Sequence, residues 1–193
     1  MVMARPIVVS LARLAGCAVL LAALSGCKSS PAVKPAADVT AAGFYPLAVG
    51  NFWTYEVFGG HRETIEIVGR DGPWYLDDHR GRFRYEPDGV RDADRYLLRT
   101  PLEAGARWTA VDNLVVQRFE IVTTDASAVT PAGTFTRCVR VRNEQPLPKS
   151  GKFVTEWTYA PKVGLVDLRT SVVAADGKSQ DQTHLELVAV HVQ

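Results

Sequence analysis

The sequence predicts an all-β domain: a single antiparallel meander forming a strongly curved sheet, half-barrel or open barrel, after a helical signal peptide and a disordered tether. Three observations carry this. From Phe44 onward, short runs rich in Val, Ile, Thr, Tyr and Trp alternate with Gly, Asp and Pro turns, the composition of a half-buried pleated surface. No stretch from Phe44 to the end sustains a helical period. The turns are closely spaced, which favours pairing between sequence neighbours over the long crossovers of a parallel sheet.

Residues 1–26 read as a lipoprotein signal peptide. Arg5 and Arg13 supply a basic start, Leu14 to Leu24 is an apolar run, and Leu24-Ser25-Gly26-Cys27 closes it as a lipobox. The Cys27 thiol would receive a diacylglycerol and become the first residue of the mature protein. The alternatives are an ordinary secretory leader with Cys27 incidental, and a transmembrane anchor. A span needs about 20 apolar residues, and Arg13 interrupts the run too early for one. Lys28 follows the cysteine where an inner-membrane retention signal would place Asp, which favours the outer membrane. Each buried methylene contributes about 0.8 kcal/mol, so two or three acyl chains hold a protein on a bilayer where one holds it only marginally. Residues 27–43 continue as the lipidated cysteine and a small, polar segment broken by Pro31 and Pro35, read as a tether.

Residues 44–193 form the envelope domain. The pattern places strands at Phe52–Phe58, Arg62–Val68, Trp74–Asp78, Arg82–Glu86, Arg95–Arg99, Arg107–Ala110, Val115–Thr124, Phe135–Asn143, Phe153–Tyr159, Leu165–Val173 and Thr183–His191. Gly59-Gly60, Asp71-Gly72, Asp88-Gly89 and Asp176-Gly177 are two-residue hairpin signals, because a type I′ turn needs positive φ at both central residues. Pro131-Ala132-Gly133 marks a further reversal.

One phrase occurs twice. Pro46-Leu47-x-x-Gly50-x-x-Trp53-Thr54 returns as Pro101-Leu102-x-x-Gly105-x-x-Trp108-Thr109. Ile65-Glu66-Ile67-Val68 is then answered by Phe119-Glu120-Ile121-Val122, one residue sooner. The echo reads either as a duplicated β unit giving a pseudo-symmetric sheet, or as one local solution reached twice. A single pair is too few for a solenoid.

Three phrases carry a resemblance: Tyr45-Pro46-Leu47 with Gly50, Trp53 and Tyr55; Pro131 to Phe135 with Cys138 and Val141; and Tyr159-Ala160-Pro161 with Val163, Gly164 and Leu165. In this order they resemble a group of uncharacterised bacterial envelope lipoproteins. The resemblance implies a periplasm-facing β-sheet domain and assigns no activity or catalytic residue.

Composition excludes several functions. Removing the leader takes two of 22 Lys and Arg, leaving 20 against 21 Asp and Glu, so no basic field calls for nucleic acid. Cys17 leaves with the leader and Cys27 is acylated, so Cys138 is alone and no internal disulfide forms. Gly-x-Ser-x-Gly and His-Glu-x-x-His are absent. Gly177-Lys178-Ser179 imitates the end of a phosphate loop, but Val172 stands where that loop needs Gly.

The candidate sites are therefore few. Trp53 with Tyr55, and Trp157 with Tyr159, share a strand face at i, i+2; they are core, or an apolar face for an acyl chain or sugar ring. Arg80, Arg82 and Arg84 alternate with Gly81, Phe83 and Tyr85; they are a solvated face, or an anion contact that Arg91, Arg95 and Arg99 extend if strands align. Asp77-Asp78-His79 is a polar turn, or with His184 an incomplete metal set. Cys138 is a buried small hydrophobe, or a thiol exposed beside Arg140 and Arg142. The expectation is a lipid-anchored envelope module that is not an enzyme, needs no cofactor or metal, and meets the membrane through Cys27. A lipid carrier with an apolar half-barrel cavity and a metal-assisted hydrolase are the alternatives.

Overall fold

A computed structural model describes residues 40–112, 114–148 and 151–193; the lipobox, Cys27 and the segment up to residue 39 lie outside the described residues. The described residues begin four positions before the boundary at Phe44. Thr40 accepts the Gly43 N–H on its Oγ1 and starts a 3-10 turn, Ala41–Phe44, whose Ala41 and Phe44 are buried.

Twelve strands follow: β1 (Phe52–Val57), β2 (His61–Asp71), β3 (Trp74–Asp77), β4 (Arg82–Glu86), β5 (Gly89–Arg91), β6 (Tyr96–Arg99), β7 (Arg107–Asp112), β8 (Val115–Thr130), β9 (Gly133–Leu147), β10 (Gly151–Ala160), β11 (Gly164–Ala174) and β12 (Ser179–His191). All pairings are antiparallel within one sheet of order β6-β5-β4-β3-β2-β1-β12-β11-β10-β9-β8-β7. The sheet curls into a nearly closed barrel with one unsealed seam, between β6 and β7. The sequence pattern marks every strand except β5, whose three residues are too few to show alternation. It also cuts β8 and β9 short. These strands run 16 and 15 residues because register shifts at Thr123, Ala126 and Ala128 scramble the inward-outward order without ending the ladder.

Of the four two-residue signals, only Gly59-Gly60 has positive φ at both positions. Gly89 is small for another reason: a Cβ there would collide with the Leu98 carbonyl of the adjacent strand.

The two copies of the echoed phrase make the same pair of backbone hydrogen bonds. Gly50 (φ 91°) donates its N–H to Ile67 O at 2.8 Å, and Ile67 N donates back to Asn51 O at 2.9 Å. Gly105 (φ 88°) donates to Ile121 O at 2.8 Å, and Ile121 N to Ala106 O at 2.9 Å. Trp53 stands opposite Ile65, and Trp108 opposite Phe119. Each phrase therefore opens a run of six strands, β1–β6 and β7–β12. The two runs join through β12–β1, from Phe52↔His191 to Val57↔Leu185, with a bulge after Thr54.

The interior is aromatic. Tyr45 stacks on Trp53 (5.9 Å) and meets Phe83 and Tyr159 at 5.7 and 6.1 Å. Trp108 stacks on Phe119 (5.6 Å), which leans on Trp157 (6.0 Å). Buried polar tips find backbone partners, as they must: Trp53 Nε1 donates to Val163 O at 2.6 Å, and Tyr55 Oη to Leu165 O at 3.0 Å. Trp108 and Arg95 reach across the seam. Trp108 Nε1 donates to Tyr96 O at 3.1 Å, and the Arg95 guanidinium lies 5.1 and 4.5 Å from the rings of Phe119 and Trp157.

Trp53→Phe removes a buried donor and leaves the Val163 carbonyl unmet. It is expected to lower the unfolding free energy by about 1–3 kcal/mol. Trp74→Phe, on the outer face, is expected to cost only about 0.5–1 kcal/mol of cation–π contact. Urea unfolding of the two variants separates these outcomes; equal midpoints would contradict this division of core and surface.

Candidate functional site

Trp53, Tyr55, Trp157 and Tyr159 all belong to the packed core of the described residues. The first two and Tyr159 are buried within the core, at 3%, 4% and 2% exposure. Burial pushes the phenols of Tyr55 and Tyr159 far above the ordinary range. Trp157 also borders a cavity of about 290 Å³. Its other walls are polar: Asp92, Asp94, Arg95, Gln117, Asn143, Gln145 and Thr155 among them. A larger groove of about 600 Å³ has a mixed wall, in which charged Arg107, Arg118, Glu120, Arg142, Glu144 and Lys152 stand beside apolar Phe119, Val122 and Pro146. Cross-strand ion pairs brace it, Arg107–Glu120 at 3.0 Å and Lys152–Glu144 at 2.8 Å.

The arginine face is an aromatic clamp. Arg82 and Arg84 lie 4.8 and 4.5 Å from the ring of Trp74, and Arg84 also pairs with Glu86. Arg80 is exposed in the β3–β4 turn at φ 68°. The extension to three further arginines is corrected in part. Arg91 stands directly across from Arg84, but its guanidinium donates to the carbonyls of Asp92 and Ala93. Arg99 is held by Asp88 at 3.0 Å. Arg95 points into the barrel, onto Phe119 and Trp157, and adds nothing to the outer patch.

The set Asp77, His79 and His184 is not assembled either. Asp77 closes the β3–β4 turn, its Oδ1 accepting the N–H groups of His79 and Gly81. His79 lies between Asp78 (2.9 Å) and Glu63 (3.2 Å). Hydrogen bonding to Asp78, with the charges of Asp78 and Glu63, holds its imidazole above the ordinary pKa. His184 belongs to a different strand and a different group. Its Nε2 lies 2.8 Å from Asp167 Oδ2 and 3.7 Å from Glu186 Oε1. The sequence pattern singles out His184 but not Asp167 or Glu186, because what unites them is the β11–β12 register. That register sets Asp167 opposite Glu186, and Arg169 opposite His184.

Cys138 is fully buried, beside equally buried Val139. Alternation fails here because Arg137 takes φ 55° and Cys138 pairs with Ala126 between two register shifts. The tip of the β8–β9 hairpin also turns back to β12, where Ala132 N donates to Leu187 O at 3.0 Å. Burial pushes the thiol pKa up to about 11, against a smaller opposing effect of Arg140.

The sequence matches no protein-family profile and no curated protein. Three solved structures are similar in shape. One is a Bacteroides fragilis protein described as exported and of YmcC-like fold, at 15% identity and TM-score 0.48, covering 77% of this chain and 98% of that one. The second is described as a lipoprotein of Parabacteroides distasonis, at 15% identity and TM-score 0.41 over the same shares. The third is the hypothetical lipoprotein YmcC of Escherichia coli, at 10% and 0.36, covering 78% and 89%. All three TM-scores lie below 0.5, a likeness too slight to transfer an activity.

At pH 8 a thiol of pKa about 11 holds roughly a hundredfold less thiolate than an ordinary one. Alkylation at the Cys138 peptide, read by mass spectrometry, is expected to be slower by at least that factor in folded protein than in urea. Equal rates would place the thiol at the surface.

Proposed function

We propose that the chain is a lipid-anchored bacterial envelope lipoprotein, held in the outer membrane by acyl chains on Cys27, whose barrel serves as a non-enzymatic binding or structural module. The address is supported by the Leu24-Ser25-Gly26-Cys27 lipobox, by Lys28 after it, and by the resemblance of the three phrases to those of envelope lipoproteins. The nature of the module is supported by one observation above the others. The barrel interior is occupied by its own aromatic side chains, with Trp53 and Tyr55 hydrogen-bonded to Val163 and Leu165 across it. A carrier of acyl chains needs that space empty and apolar. Partner contacts then fall to the outer face and the strand-end loops.

The test is mass spectrometry of the full-length protein extracted in mild detergent. The expected result is an intact mass carrying covalent acyl groups, with no other lipid in stoichiometric amount. Cys27→Ala is expected to lose the acyl mass and to leave the membrane fraction on a salt wash. Recovery of one non-covalent lipid per chain would replace the module with a carrier. Firm membrane retention of Cys27→Ala would remove the anchor.

A further inference from the structure

We infer that Asp167, His184 and Glu186, on the outer face of β11 and β12, bind a divalent transition-metal ion of the zinc class. The inference does not depend on acylation or on what the module contacts.

The geometry comes first. The three groups each offer one ligand atom, and these atoms lie within 4.8 Å of one another. The imidazole Nε2 is the shared point, 2.8 Å from Asp167 Oδ2 and 3.7 Å from Glu186 Oε1. Zinc binds His nitrogen and carboxylate oxygen at about 2.0–2.2 Å in a tetrahedron, whose ligand atoms stand about 3.3 Å apart. The two observed separations straddle that value. The Asp167 and Glu186 ligand oxygens lie within 4.8 Å of each other, so rotation of the two carboxylates toward the imidazole brings three ligand atoms around one ion.

The sheet register supplies an independent reason for a cation. Asp167 faces Glu186 across β11–β12, and Glu186 faces Glu56 across β12–β1. Three carboxylates thus form one cross-strand row, an arrangement that repels. Two of them have a guanidinium: Arg169 reaches Asp167 at 3.3 Å, and Arg62 reaches Glu56 at 3.4 Å. Among the described residues, the central Glu186 has no ion-pair partner nearer than His184 at 3.7 Å. The row has its gap in positive charge where the three ligand atoms converge.

Withdrawal from water strengthens the site, and access is kept. The Asp167 side chain is 12% exposed and that of His184 24%. Asp167 stands against fully buried Thr158 on β10. A cavity of about 320 Å³ opens on the side of Asp167 and Arg169, and another of about 190 Å³ on the side of His184, Glu186 and Glu56. Three protein ligands with open sides leave a coordination position for water or an incoming ligand. Mixed nitrogen and oxygen donors suit zinc, nickel or cobalt better than calcium or magnesium, which prefer oxygen alone. Arg169 opposes the ion, since its guanidinium competes for Asp167.

The experiment is zinc titration of untagged, full-length protein after chelator treatment, by calorimetry and elemental analysis. One zinc per chain is expected, with a thermal midpoint that rises on zinc addition and falls back with chelator. His184→Gln is expected to weaken binding by more than the roughly 10–100-fold lost with an outer-shell partner, and Arg169→Gln to tighten it. Should His184→Gln not fold, Glu186→Gln serves in its place. Absence of zinc uptake by the wild type, or equal uptake by the ligand variants, overturns the site and leaves His184 as a bridge between two carboxylates.

Discussion

Antiparallel pairing of β1 with β12 joins the two ends of the described chain, and the rest of the barrel is arranged around it. Without this ladder the molecule would be two six-strand meanders, each with an exposed edge and half a core. Asn51, fully buried at the start of β1, ties the joint at its base. Its Oδ1 accepts from Gln193 N at 3.0 Å and its Nδ2 donates to Pro46 O at 3.0 Å. A buried amide is tolerable only when its donors and acceptors are met, and here they specify which strand end meets which. The related position in the second phrase is Ala106, and the related joint, β6 to β7, has no ladder. The same local design thus yields one sealed joint and one open seam.

The open seam is not loose. Edge strands invite pairing with other chains, and here β6 and β7 are short and tied together by side chains. Trp108 bonds to a β6 carbonyl, while Arg95 reaches from the β6 side over two rings of the other half. Filling the interior in this way fixes what the domain offers to its surroundings. The large aromatics of the core are committed inward, and part of the outer face becomes a lattice of guanidinium and carboxylate groups in register, with apolar side chains such as Phe58, Leu114 and Val129 exposed elsewhere. Arg107, Glu120, Arg142, Glu156, Arg169 and His184 stand in one row from β7 to β12. Exposed pairs of this kind contribute little stability singly; their consequence is a patterned polar surface.

Much of this was legible in the sequence, and the exceptions share a cause. Strand runs, turns and the meander follow from local composition, and the repeated Pro-Leu-x-x-Gly-x-x-Trp phrase marks the start of each half. Local patterns say nothing about which distant strands become neighbours. Asn51 looked unremarkable because its partner lies at the far end of the chain. Asp167 and Glu186 carry no local signal, because only the β11–β12 register makes them a pair, and it places His184 with them and not with Asp77 and His79. Arg95, the first residue of the sequence-marked strand Arg95–Arg99, reads as an extension of the arginine patch if strands align, whereas its guanidinium crosses the seam. Cys138 escaped the alternation rule through the irregular register of β8 and β9.

Amide hydrogen exchange of the folded protein, resolved by peptide, tests the central claim that β1–β12 pairing is what closes the fold. The account predicts that the 52–57 and 185–191 amides exchange slowly and at matching rates, while those of β6 and β7 exchange sooner. Early exchange of β1 and β12 beside a protected β6–β7 seam would contradict it.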